Sequence, residues 1–164
     1  MSLKLILMRH AKSDWNDPLQ SDHERGLNPR GQASAKALGD WLRGNGHLPD
    51  LLLSSDATRT RETWAGLALE AEERFLRGLY LAPSVAMLEV LKQAGDAETV
   101  LMLGHNPGIA DFAETLASAH PGDADFDRYP TCATTVYQFE ADSWSEVGPG
   151  MGQILDFIIP RRLT

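Results

Sequence analysis

Short apolar runs alternate along this chain with segments in which apolar residues recur at helical spacing. Leu3 to Met8, Leu51 to Leu53 and Thr99 to Leu103 are compact apolar runs, which is the pattern of a buried strand. Three weaker segments complete the series. The strands are therefore predicted at residues 3–8, 51–53, 74–76, 99–103, 134–139 and 154–159.

Helical spacing of apolar residues fills most of the intervals between these strands. The helices are predicted at residues 29–43, 57–71, 83–94 and 109–117. Asn28 and Pro29 suit the cap and first turn of the first helix. Residues 9–28 and 119–131 are polar and are predicted to be loops. This alternation favours a single α/β domain over residues 1–164, a three-layer α/β/α sandwich with a mostly parallel central sheet of about five or six strands.

Polar side chains follow each of the three strong strands. Arg9 and His10 end the first, Ser55 and Arg59 follow the second, and His105 follows the third. Ligands bind at the carboxyl ends of the strands in such sheets. We therefore expect these side chains to meet at one edge of the sheet.

Charge and composition narrow the class of ligand. The 164 residues carry a formal net charge of -8, which disfavours a nucleic-acid-binding surface. The single cysteine, Cys132, excludes an internal disulfide framework and fits a reducing compartment. The apolar run at Leu3 to Met8 is far too short to span a membrane and lacks the cleavage site of a signal peptide. We expect a cytoplasmic monomer that does not bind nucleic acid or membranes.

The clustered residues suit phosphoryl transfer. Two guanidinium groups, Arg9 and Arg59, can hold phosphoryl oxygens in forked hydrogen bonds. A neutral His10 can attack phosphorus and carry the group covalently, and neighbouring arginines favour the neutral form. His105, when protonated, would stabilise the charge of the transferring group. No close His-x3-His spacing or Cys pair indicates a catalytic metal, and no cofactor is expected.

Three motifs resemble those of the histidine phosphatase superfamily, whose fold is phosphoglycerate mutase-like. The first is Arg-His-Ala-Lys-Ser-Asp-Trp-Asn at residues 9–16, and the third is Gly-His-Asn-Pro at residues 104–107. The second, Ser-x3-Arg-x3-Thr, falls on Ser55, Arg59 and Thr63. The chain is most similar to the short SixA-type phosphohistidine phosphatases. The resemblance implies that His10 is the phosphoacceptor, that the phosphate pocket is completed by Arg9, Arg59 and His105, and that Ser13 and Asn16 are further phosphate contacts.

One departure from the superfamily bears on the substrate. Larger relatives place a glutamate general acid after the strand that corresponds to residues 74–76. Here the residues that follow this strand, 77–80, are Arg-Gly-Leu-Tyr and include no carboxylate. A phosphohistidine leaving group needs less help from an acid than an alkoxide does. The expected substrate is therefore phosphohistidine in a signalling or phosphotransfer protein. The alternatives are a small phosphomonoester, with Glu89 or a substrate group as the acid, and a non-catalytic phosphate-binding module.

Overall fold

A mixed β-sheet forms the middle layer of the protein in a computed structural model that describes residues 2–163. Within these residues there are six strands: β1 (Ser2–Arg9), β2 (Leu51–Ser55), β3 (Glu72–Leu76), β4 (Thr99–Gly104), β5 (Thr134–Glu140) and β6 (Gln153–Ile158). The helices are α1 (Pro29–Gly44), α2 (Thr58–Leu67), α3 (Ser84–Leu91), α4 (Gly108–Leu116) and α5 (Ala124–Arg128). Short 3₁₀ turns lie at Arg77–Leu79, Trp144–Glu146 and Pro160–Arg162.

The sheet order is β3-β2-β4-β1-β5-β6. Strands β1, β2, β3 and β4 pair in parallel, and β5 and β6 extend the sheet antiparallel. The register pairs Arg9 with Gly104, so that the chain leaves β1 and β4 at adjacent points. The backbone N–H of His10 donates to the carbonyl of Gly104 at 3.1 Å, which holds the two strand ends together. His10 and His105 thus emerge side by side.

Side chains of β1 alternate between two separate cores, as expected for a strand covered on both faces. Leu5 and Leu7 pack into the core beneath α3 and α4. Ile6 and Met8 pack into the opposite core beneath α1 and α2. The three-layer sandwich with a central, mostly parallel sheet is confirmed.

Three local predictions are confirmed or corrected. Asn28 caps α1, since its side-chain oxygen accepts from the N–H of Gly31 at 2.8 Å. Helix α2 ends at Leu67 and not at residue 71, because Ala68 adopts a left-handed conformation with φ of 54°. The predicted loop at 119–131 contains the short helix α5, which Asp123 caps. Among the described residues, none of the helices has the length and apolarity needed to cross a membrane.

Candidate active site

The sequence-predicted residues converge on one cavity at the carboxyl edge of the parallel strands. This cavity of about 320 Å³ is lined by Arg9, His10, Lys12, Ser13, Trp15, Arg59, Leu81, His105, Asn106 and Thr131. Five of the six predicted site residues are in this set. They come from the end of β1, the start of α2 and the end of β4. The expectation that these strand ends meet is confirmed.

His10 is held in one tautomer. Its Nδ1 lies 2.7 Å from the carbonyl oxygen of Ala11, and because a carbonyl only accepts, Nδ1 carries the proton. The lone pair is therefore on Nε2. Burial, followed by the charges of Arg9 and Arg59, lowers the pKa of His10 to about 4 against the opposing effect of the Ala11 bond. His10 is neutral at pH 7, as a nucleophile requires.

His105 lies next to His10, with 5.3 Å between the ring centroids. Its Nε2 is 2.8 Å from the hydroxyl oxygen of Ser55. Burial, followed by the charges of His10 and Arg59, lowers the pKa of His105 to about 3. His105 is therefore neutral at pH 7, contrary to the protonated form considered from the sequence. The positive charge lining the cavity comes from Arg9, Lys12 and Arg59.

The spacing Ser-x3-Arg-x3-Thr places side chains of the second motif in contact with the first and third motifs. These contacts are not evident from the sequence. Ser55 ends β2 and contacts His105, while Arg59 begins α2 and faces the cavity. One turn later, the hydroxyl of Thr63 accepts from the N–H of Ala11 at 2.9 Å and donates to the carbonyl of Arg59 at 2.7 Å. The second motif therefore contacts both of the other two.

Asp22 is a charged residue of the site that sequence reasoning missed. Arg59 donates to its carbonyl oxygen at 2.7 Å and to its carboxylate at 3.0 Å, and the Tyr80 hydroxyl donates to the same carboxylate oxygen. Burial raises the pKa of Asp22, but the hydrogen bonds from Tyr80 and Arg59 outweigh it, so the pKa lies below its ordinary value. Asp22 is therefore an ionised acceptor. In larger relatives the general acid follows β3. Here Tyr80 lies after β3, and its hydroxyl donates to the carboxylate of Asp22, which belongs to the loop between β1 and α1.

The two predicted phosphate contacts, Ser13 and Asn16, differ in their position. Ser13 lines the cavity and accepts from the indole N–H of Trp15 at 3.0 Å. Asn16 is exposed and is not among the lining residues, and its backbone N–H donates to Asp14. Glu89, the alternative acid, is exposed on α3 and also lies outside the lining.

Three buried polar atoms of residues that line the cavity have no hydrogen-bond partner within residues 2–163: Arg9 Nε, His105 Nδ1 and Asn106 Oδ1. Phosphoryl oxygens accept hydrogen bonds from arginine and from a ring N–H. In the same range, no cluster of three or more His, Cys, Asp or Glu side chains is arranged to hold a metal ion.

Comparisons with known proteins agree with this geometry. The family model described as histidine phosphatase superfamily (branch 1) matches residues 5–77. An uncharacterized protein of Mycobacterium tuberculosis is 37% identical over 94% of this chain and 100% of its own length. A structure described as a candidate SixA phosphohistidine phosphatase from Nakamurella multipartitia is 28% identical, with a TM-score of 0.82 over 98% of this chain and 97% of that one. A similarly described structure from Agrobacterium tumefaciens is 27% identical, with a TM-score of 0.79 over 96% and 98% of the two chains.

Proposed function

This chain belongs to the histidine phosphatase superfamily, and from that premise we propose that it removes phosphoryl groups from phosphohistidine in a signalling or phosphotransfer protein. His10 is the nucleophile, and Arg9, Arg59 and His105 bind the phosphoryl oxygens. The observation that carries the proposal is the state of His10. Its Nδ1–H is bonded to the Ala11 carbonyl, and its pKa is lowered to about 4, so that a free Nε2 lone pair faces a site flanked by two arginines.

In the first step, Nε2 of His10 forms a bond to phosphorus while the P–N bond of the substrate breaks. The electron pair of that bond stays on the substrate nitrogen. When the substrate ring carries a proton on its other nitrogen, it leaves as neutral imidazole and no enzyme acid is required. The guanidinium groups of Arg9 and Arg59 stabilise the charge on the equatorial oxygens.

In the second step, water attacks the phosphorus and the bond to Nε2 breaks. The electron pair returns to His10, and the proton lost by the water passes to the released phosphate or to solvent. Asp22, whose pKa is lowered, is ionised at neutral pH and is not a proton donor for a leaving group. This supports a phosphoramidate substrate over an alkyl phosphate, whose alkoxide needs a donor.

A turnover assay with EDTA present tests the proposal. The substrates are a phosphohistidine-bearing phosphotransfer protein and p-nitrophenyl phosphate, and the variants are His10→Ala and, as a control, His120→Ala. His120 bonds to Asp127 and does not line the cavity. We expect the wild type and His120→Ala to be active without metal and to trap acid-labile phosphate, and His10→Ala to be inactive and to trap none.

The same assay separates the alternatives. Metal-dependent activity would contradict the mechanism, and a higher kcat/KM for p-nitrophenyl phosphate than for the phosphohistidine protein would contradict the substrate assignment. Binding of phosphate without turnover of either substrate would favour a non-catalytic module.

A further inference from the structure

A second, strongly basic cavity lies beside the cavity that His10, Arg59 and His105 line, which we call the phosphate cavity. It has a volume of about 320 Å³, and its charged lining residues are Lys12, Arg30, Asp125, Arg128 and Arg161. Four cations and one carboxylate thus face one space in a chain whose net charge is -8. We refer to this space, defined by those five residues, as the cationic groove.

The cationic groove adjoins the phosphate cavity, because Lys12 and Thr131 line both. The backbone explains why Arg30 stands next to Lys12. The N–H of Asn28 donates to the carbonyl of Lys12 at 3.1 Å. A Cβ at Gly31 would lie only 2.1 Å from that carbonyl oxygen, so glycine is required for the first turn of α1 to approach this closely.

Two of the four cations are not neutralised. Lys12 and Arg30 are exposed and have no ion pair within residues 2–163. Arg128 and Arg161 both pair with the carboxylate of Asp125. Like charges gathered on one concave surface repel each other and raise the local concentration of anions. The chemistry that complements the cationic groove is therefore an anionic group.

We propose that the cationic groove binds a second anionic group of the substrate, a phosphate or a carboxylate, while the phosphoryl group to be removed lies against His10. The inference rests on the proposed function, because the group assigned to the groove is part of the substrate that is held at His10. Two sources supply such a group: acidic side chains beside the phosphohistidine of a partner protein, or a second phosphate on a small molecule. Both would place negative charge in the same space.

The experiment compares matched pairs of substrates at low and high salt. One pair is a phosphohistidine peptide flanked by glutamates and the same peptide flanked by glutamines. The other pair is fructose 1,6-bisphosphate and fructose 6-phosphate. The readout is the ratio of kcat/KM within each pair, which removes effects common to both members.

The variants are Arg30→Gln and the double variant Arg30→Gln/Arg161→Gln, with Lys36→Gln as the matched control. Lys36 is an exposed cation on the same helix, paired with Asp40 and outside both cavities. We expect the wild type to prefer the substrate with the additional anionic group in at least one pair. This preference should fall about threefold to tenfold in Arg30→Gln and further in the double variant. The preference should weaken at high salt and be unchanged in Lys36→Gln. The pair of substrates that shows the preference identifies the source of the second anionic group.

Affinities of the His10→Ala variant for the same pairs, measured by calorimetry, give a second readout that needs no turnover. Failure of the proposed function would leave both wild-type rates at zero but the difference in affinity intact. Equal rates and equal affinities within both pairs would overturn the groove assignment, as would an equal loss of preference in Lys36→Gln.

Discussion

Thr63 connects helix α2 to the loop that carries His10, and the substitution Thr63→Val tests how the site is held. Valine keeps the shape of threonine but removes the hydroxyl. That hydroxyl accepts from the N–H of Ala11 at 2.9 Å and donates to the carbonyl of Arg59 at 2.7 Å. Thr63 and Ala11 are both fully buried. The substitution therefore leaves a buried backbone donor without its partner.

The cost in stability follows from that donor. An unsatisfied buried N–H destabilises a protein by about 1–3 kcal/mol. For a chain of this length each kcal/mol lowers Tm by about 2–4 °C. We expect Thr63→Val to reduce the free energy of unfolding by about 1–3 kcal/mol and Tm by about 2–12 °C, measured by urea and thermal unfolding.

The effect on catalysis should be larger than the effect on phosphate affinity. The carbonyl of Ala11 accepts the Nδ1–H of His10, so the position of Ala11 sets the direction of the Nε2 lone pair. Displacement of a reacting group by about 1 Å costs about 100-fold in rate. We expect kcat to fall at least about tenfold, while the inhibition constant of inorganic phosphate, which binds mainly to the arginines, changes little.

Two variants serve as controls. Thr63→Ser keeps the hydroxyl and should restore kcat. Thr60→Val removes a buried hydroxyl that donates to the carbonyls of Ser55 and Ala57 and contacts no part of the His10 loop, so it should affect stability more than kcat. If Thr63→Val and Thr63→Ser have the same kcat, the hydroxyl does not position His10 and the argument is wrong.

Three further predictions concern other parts of the site. Because burial lowers the pKa of His10 from 6.5 to about 4, the unfolded chain takes up a proton before the folded one as the pH falls. His10 should therefore contribute a decrease of up to about 3 kcal/mol in the free energy of unfolding between pH 6.5 and pH 4, and urea titrations of His10→Gln should show a flatter dependence on pH. Asp22→Asn removes a negative charge bonded to Arg59, so calorimetry should show several-fold tighter binding of inorganic phosphate; unchanged or weaker binding would contradict this role. Gly31→Ala places a Cβ 2.1 Å from the Lys12 carbonyl oxygen, so we expect the Tm of the variant to be lower than that of the wild type. An equal Tm would show that the start of α1 shifts freely to accommodate the methyl group.

The sequence predicted those features whose signal is local. The strands at Leu3 to Met8 and Thr99 to Leu103 are apolar runs, and apolar runs of that length are buried in a sheet. The end of α2 was predicted wrongly, because residues 68–71 favour a helix in sequence but Ala68 ends it in a left-handed conformation before β3 begins at Glu72. Helix α5 was missed because five residues are too few to show a period.

Asp22 could not be found in this way, because its partners are distant in sequence. It contacts Arg59 across 37 residues and Tyr80 across 58 residues, and nothing in the polar segment around it distinguishes it from its neighbours. Motif spacing identifies residues that a helix turn or a strand end brings together. It does not identify which residue of a long loop folds back over them.

The protonation states of the site narrow the chemistry further than its residue types do. His10 and His105 are neutral because they are buried near cations, and Asp22 is ionised because Arg59 and Tyr80 donate to it. The groups at the phosphate cavity thus supply a nucleophile and positive charge, and none of these three carries the labile proton that an alkoxide leaving group needs. A substrate that brings its own proton, such as a protonated phosphoimidazole, is therefore favoured by the arrangement. We therefore expect discrimination among such substrates to depend on the cationic groove, which Arg30 lines outside the phosphate cavity and Lys12 lines at the boundary of the two.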